Sequence, residues 1–158
     1  LTSPMARFRV RKEQAKKAEE VSLQFIGMVL GSEEYMVDIT RVREIIMLDE
    51  ITYVPRVEKH MEGVINLRGE IVPIINLRVK LGMEAADFTP RSRIIIMEAN
   101  GGLVGFLVDA VTSVLRLPES SMNYSSATLG EVSAEYIRGI GRNGGRILGW
   151  MDVDKLCA

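Results

Sequence analysis

Residues 63–77 read GVINLRGEIVPIINL. Two apolar runs, Gly63 to Leu67 and Glu70 to Asn76, flank the dipeptide Arg68-Gly69. Short Val- and Ile-rich runs broken by a two-residue turn predict a β-hairpin. Gly69 supplies the positive φ that the twist of such a turn requires. The arginine then stands at the hairpin tip, outside the core. A loop charge at that place can serve solubility alone, so the stretch decides the fold before it says anything about function.

The same texture runs outward in both directions from this hairpin. Short apolar runs separated by Gly, Asn, Asp and Pro predict further strands at Val21 to Leu30, Glu34 to Asp38, Ile94 to Ala99, Leu103 to Val108, Gly139 to Arg142 and Arg146 to Val153. Polar or glycine-rich links between Gly31 and Glu34, and at Asn100 to Gly102, have hairpin length. Two short helices are expected after Asp38 and Asp109, with Val42, Ile45 and Ile46 inward in the first and Val111, Val114 and Leu115 inward in the second. Ser120 to Ser133 is a polar stretch expected to form a mobile loop.

Sliding the chain along itself by 76 positions lays GVINLRGEIVPIINL on GIGRNGGRILGWMDV without a gap, with Gly63 and Gly69 on Gly139 and Gly145 and Ile71 on Ile147. Upstream, Val42, Ile45, Ile46 and Leu48 meet Val111, Val114, Leu115 and Leu117. The chain is therefore a weak internal duplication. Its expected organisation is a basic tail at 1–20, a first β-barrel at 21–87 and a second at 88–158, with terminal strands open to exchange. Barrels this small are marginal alone, so a shared apolar seam is expected. At the corner equivalent to Arg68-Gly69, the second copy has Asn143-Gly144-Gly145 and no charge. Trp150 replaces Ile74, and the sequence leaves open whether it packs inside or marks a contact surface.

Composition narrows the function classes. The chain has 158 residues and a formal charge of −1; the first twenty residues are basic and the remainder is acidic. Aromatics make up 6%, too few for a basic, stacking nucleic-acid groove. No apolar run reaches the roughly 18 to 20 residues of a membrane span, and no secretory signal is visible, so a cytoplasmic setting is expected. A single cysteine, Cys157, and a single histidine, His60, make neither an internal disulfide nor a metal cluster. Gly139, Gly141 and Gly144 spell GxGxxG, but a strand-like run follows where a phosphate-binding helix would have to begin. Asp152 and Asp154 would share a face if both lay on one strand, although Asp154 equally suits a cap of the last turn. No nucleophile motif or phosphate-binding lysine loop accompanies them. Catalysis is not expected, nor is a cofactor, and five-stranded barrels are too narrow for an internal ligand.

GVINLRGEIVPIINLRVKLG, together with EEYMVDITRVREI, VGFLVD followed by VLRL, and YIRGIGRNGGRILGWMDVDKL, resembles the CheW-like family through most of residues 21–156. The resemblance implies an all-β fold of two packed five-stranded SH3-like barrels with a few short helices. It also implies an adaptor of bacterial chemotaxis arrays, joining the cytoplasmic tips of methyl-accepting chemoreceptors to the regulatory domain of a histidine kinase. A regulatory domain of the kinase itself, or the adaptor half of a receiver fusion, is the alternative. Carried over by motif, Glu44 and Arg68 are the paired acidic and basic positions. Val42, Ile45 and Gly63 are the apolar floor beside them, and Gly69, Gly105 and Gly139 are motif glycines near the interfaces.

Overall fold

The structure, a computed structural model, describes residues 21–48, 51–53, 58–124, 132 and 134–158. The basic tail and most of the Ser-rich stretch lie outside the described residues. Ten strands follow in order: β1 (Ser22–Leu30), β2 (Glu33–Asp38), β3 (Val42–Ile46), β4 (Met61–Leu67), β5 (Glu70–Asn76), β6 (Arg93–Ala99), β7 (Gly102–Val108), β8 (Ala110–Pro118), β9 (Ile137–Asn143) and β10 (Arg146–Met151). Two short helices, α1 (Leu77–Lys80) and α2 (Val153–Cys157), follow β5 and β10. Both begin at a capping side chain 76 positions apart: Asn76 accepts from the Val79 amide and Asp152 from the Lys155 amide. Asp152 is thus the cap, and Asp154 instead holds Arg41 at 2.7 Å. The two carboxylates do not share a strand.

The strands form two five-stranded SH3-like sheets, ordered β8-β1-β2-β10-β9 and β3-β6-β7-β5-β4. The repeat written in the sequence is β1–β5 and β6–β10. Each repeat lends its opening hairpin to the closing three strands of the other, so β6 and β7 sit among β3, β4 and β5, while β1 and β2 sit among β8, β9 and β10. Parallel pairings seal both exchanges, Ile74 opposite Gly105 and Trp150 opposite Met36.

The two helices expected after Asp38 and Asp109 are strands. After a single 3-10 turn at Ile39–Arg41 the chain enters β3, and β8 begins at Ala110. The misleading spacing has a local cause. Register slips between Val42 and Glu44 against β6, and at the matching place in β8 between Val111 and Val114 against β1. A β-bulge adds a residue to one strand, so apolar positions recur three and four apart as they would on a helix face. Val114 points out and is 62% exposed.

Each barrel has its own interior. One is Phe25, Met36, Leu115, Leu117, Leu148 and Trp150; the other is Ile65, Val72, Ile74, Ile94, Ile96 and Leu107. Between them lies the largest buried cluster, in which Met28, Tyr35 and Val37 from one sheet meet Ile95, Met97 and Phe106 from the other. Trp150 belongs to the interior. It meets Phe25 edge-on at 5.4 Å, its indole N–H donates to Asp38 at 3.3 Å, and the Arg138 guanidinium lies 4.3 Å above its ring.

Polar bonds fasten the barrels beside this seam. Arg78 holds Asp109 through both Nε and Nη2, at 2.8 and 2.6 Å, and the same carboxylate accepts from the Gly31 amide in the β1–β2 turn at 2.7 Å. Burial pushes the Asp109 carboxyl up, but the Arg78 and Gly31 hydrogen bonds outweigh it and hold the group below its ordinary value. Stabilisation from a depressed carboxyl is present above the unfolded value, near pH 4, and fades as pH falls through the lower folded value. An Asp109→Asn variant should therefore be less stable than the parent at pH 7, with the gap narrowing as pH falls below the ordinary carboxylate range in denaturant titrations. A gap that does not change with pH across the acid range would remove the carboxylate from the account.

Candidate partner-binding site

The hairpin tip that opens the sequence reading is a two-residue turn between the paired residues Leu67 and Glu70. Both central residues have positive φ, Arg68 at 51° and Gly69 at 89°, and the Gly69 amide donates to the Asn66 side chain at 2.8 Å. Glycine at the second position was legible; the same demand on Arg68 was not. An L-residue with a Cβ held there costs roughly 1 to 2 kcal/mol. A residue other than Gly, Asn or Asp at such a place points to a role beyond the turn.

That role begins with Glu44. Arg68 Nη2 lies 3.1 Å from Glu44 Oε2, the arginine 70% and the glutamate 29% exposed. Glu44 is on β3, and Arg68 caps the β4–β5 hairpin. β3 and β4 are the two outer strands of their sheet. The ion pair thus spans the open side of the barrel. An exposed pair contributes about 0 to 1 kcal/mol, less than the strain in the turn. The other barrel closes without it: the positions equivalent to Glu44 and Arg68 are Ser113 and Gly144. Barrel closure therefore does not require the charges, and the pair holds two exposed groups against one another on one edge.

The apolar positions beside the pair divide. Ile45 points outward from β3 and is 38% exposed. Val42 is partly buried and packs against the seam cluster. Gly63 is covered by this chain itself. A Cβ there would come within 2.5 Å of the Thr52 carbonyl oxygen, and Thr52 and Val64 exchange backbone hydrogen bonds at 2.8 and 2.9 Å. Gly63 is thus not part of an open floor, and any influence it has on a partner passes through the position of residues 51–53. Gly139 repeats the arrangement in the other barrel, its missing Cβ 2.7 Å from the Asn123 carbonyl oxygen in a segment bridged to Ile140. Gly105 lies inside a barrel, where a Cβ would meet Ile74 Cδ1 at 2.5 Å and Ile94 Cγ2 at 2.8 Å. These three glycines shape the barrels, while Glu44, Ile45 and Arg68 present side chains to the outside.

The outward face of Ile45 opens into a recess of about 270 Å³ between the barrels, lined by Ile45, Ala110, Val111, Arg91 and Arg93. Sequence reading missed the two arginines, because Arg91 lies just before β6 and Arg93 opens it, and only the tertiary fold brings them beside Ile45 of β3 and Ala110 and Val111 of β8. Two further apolar side chains stand out at matched places. Ile71 and Ile147 occupy the same position in β5 and β10, and are 61% and 49% exposed. Among the described residues no group of three or more His, Cys, Asp or Glu is placed to hold a metal ion, and no helix is long and apolar enough to cross a membrane.

Two exchanged barrels, a charge-paired edge and a recess between them lined by Ile45, Ala110, Val111 and two arginines describe the candidate site. Comparison with known proteins makes the class specific: the CheW-like domain model matches residues 24–158, and the chain belongs to that family. It is 36% identical over 138 residues to the chemotaxis protein CheW of Klebsiella aerogenes, covering 87% of this chain and 83% of that protein. With the Helicobacter pylori chemotaxis protein CheW it shares 33% identity over 138 residues, 87% of this chain and 82% of the relative. The crystal structure of the scaffolding protein TtCheW from Thermoanaerobacter tengcongensis superimposes with a TM-score of 0.79 at 30% identity, covering 86% of this chain and 92% of that one.

Proposed function

We propose that this protein is a non-catalytic chemotaxis adaptor of the cytoplasm, recruited to receptor arrays, that binds chemoreceptor tips and the regulatory domain of a histidine kinase and couples the state of one to the activity of the other. The observation that carries this reading is the oriented Glu44–Arg68 pair, at an edge where the duplicated barrel has no charge, with exposed Ile45 on the opposite face of the same strand. An apolar side chain that shares a recess with Arg91 and Arg93 suits a helix laid in a groove, with apolar anchors for affinity and charges for register. Receptor tips are the helical partner in this reading. The matched Ile71 and Ile147 supply one apolar handle on each barrel, which supports bridging between two kinase domains of the same double-barrel form. Transmission then requires that the two receptor states bind this rigid body differently, since a ligand with equal affinity for both states shifts nothing.

The test separates the two surfaces. Ile45→Asp places a charge on the recess without emptying a core position, and should weaken binding of a receptor-tip fragment at least about tenfold while kinase binding changes less than about twofold, the scale of a lost anchor against a remote change. Ile71→Asp should do the reverse. Equal losses of both partners in both variants, with unchanged circular dichroism, would contradict two separate surfaces.

A further inference from the structure

We infer that Arg91 and Arg93 make the recess between the barrels a reader of acidic charge, selecting receptor helices that carry carboxylates beside their apolar stripe; this rests on the receptor reading above. The recess joins an outer strand of each barrel, with Ile45 from β3 and Ala110 and Val111 from β8 as its apolar lining and the two arginines completing it. Among the described residues no carboxylate lies within ion-pair distance of either arginine, although Arg41, Arg43, Arg68, Arg78, Arg138 and Arg146 all have such partners.

Their tethering differs in a useful way. Arg93 Nη1 donates to the Pro90 and Ser92 carbonyl oxygens at 2.7 and 2.8 Å. These bonds hold the guanidinium in place and leave its Nε and Nη2 hydrogens without a described acceptor. The Arg91 side chain makes no hydrogen bond to a described residue; only its amide is engaged, by Thr89 Oγ1. One fixed and one free guanidinium above an apolar lining fit a helix with a carboxylate within one turn of its apolar anchor. A planar fork binds a carboxylate through two parallel hydrogen bonds. Six other arginines are neutralised by neighbouring carboxylates, and what sets Arg91 and Arg93 apart from the remaining cations is that they share one recess with Ile45, Ala110 and Val111. A helix with lysines there would meet two unpaired like charges.

The probe is the tip fragment of a chemoreceptor from the same cell, and a second version with the glutamates flanking its apolar stripe replaced by glutamine. Binding of each is measured by calorimetry at 50 and 300 mM salt. Arg91→Ser with Arg93→Ser should weaken binding of the acidic fragment three- to tenfold at low salt, the combined scale of two rim charges, and flatten its salt dependence. The glutamine fragment should bind parent and double variant alike. Arg91→Ser alone, which leaves the Arg93 backbone bonds in place, should show a smaller loss of the same kind. Unchanged affinity and salt slope in both variants, with binding still abolished by Ile45→Asp, overturns the selectivity and leaves the receptor groove standing. If Ile45→Asp also binds normally, the groove is not the receptor site and both readings fall.

Discussion

Trp150→Ala is expected to destabilise the protein by about 3 to 5 kcal/mol, the range for removing a buried aromatic ring, while Trp150→Phe should lose much less. The tryptophan is 4% exposed and touches every part of its barrel that the hairpin exchange brings together. Phe25 comes from the first repeat and Arg138 from the second, and Asp38, which accepts from the indole N–H, ends the borrowed hairpin. Truncation therefore opens a cavity and leaves Asp38 without its indole donor at the point where the two repeats are stitched. Because the seam is shared, loss of this interior should unfold both barrels together. Urea transitions followed by tryptophan fluorescence in the parent, and by circular dichroism in the variants, read this directly. A variant within 1 kcal/mol of the parent would mean that the barrel interior tolerates collapse around the missing ring.

The other large effect is functional. Arg68→Asn removes the charge while installing a residue that accepts the φ of 51° held there. Relief of backbone strain and loss of an exposed ion pair are of similar size and opposite sign, so the melting temperature should stay within about 4 °C of the parent, the shift that 1 kcal/mol makes in a chain of this length. Receptor-controlled kinase activation should nevertheless fall severalfold or more. Stability and function thus separate at one residue, which a merely solubilising arginine would not allow.

How much of this was readable beforehand depended on whether the controlling contacts are local. The hairpin around Arg68-Gly69 was legible because turn chemistry and alternation are decided within fifteen residues. So was the duplication, since Gly63, Gly69 and Ile71 fall on Gly139, Gly145 and Ile147 without a gap. β3 and β8 were misread as helices because a bulge changes apolar spacing while its cause, the register of a partner strand fifty or more residues away, leaves no local mark. The site divides in the same way. Glu44 and Arg68, paired by motif, lie 3.1 Å apart, whereas Ile45, expected to point inward from a helix, faces outward from β3. Gly63 was placed on an open floor, yet residues 51–52 cover it, and nothing in the run GVINL announces that cover. Arg91 and Arg93 were passed over altogether, because a cation at the start of a strand gains its meaning from what it faces, here Ile45 of β3 and Ala110 and Val111 of β8, and neither strand is its neighbour in sequence.

The central claim is that Glu44 and Arg68 orient one another to present a partner-binding edge, and a charge swap tests it most directly. Kinase activity is measured in a reconstituted mixture of receptor, kinase and adaptor for Glu44→Arg, for Arg68→Glu and for the double swap. Each single change places like charges about 3 Å apart where the parent has a 3.1 Å pair and should impair activation, while the double swap restores attraction and should recover part of it. Full activity in the single variants would reduce Arg68 to a loop charge. A double swap no better than either single would show that the partner reads the charges themselves, which contradicts mutual orientation as their role.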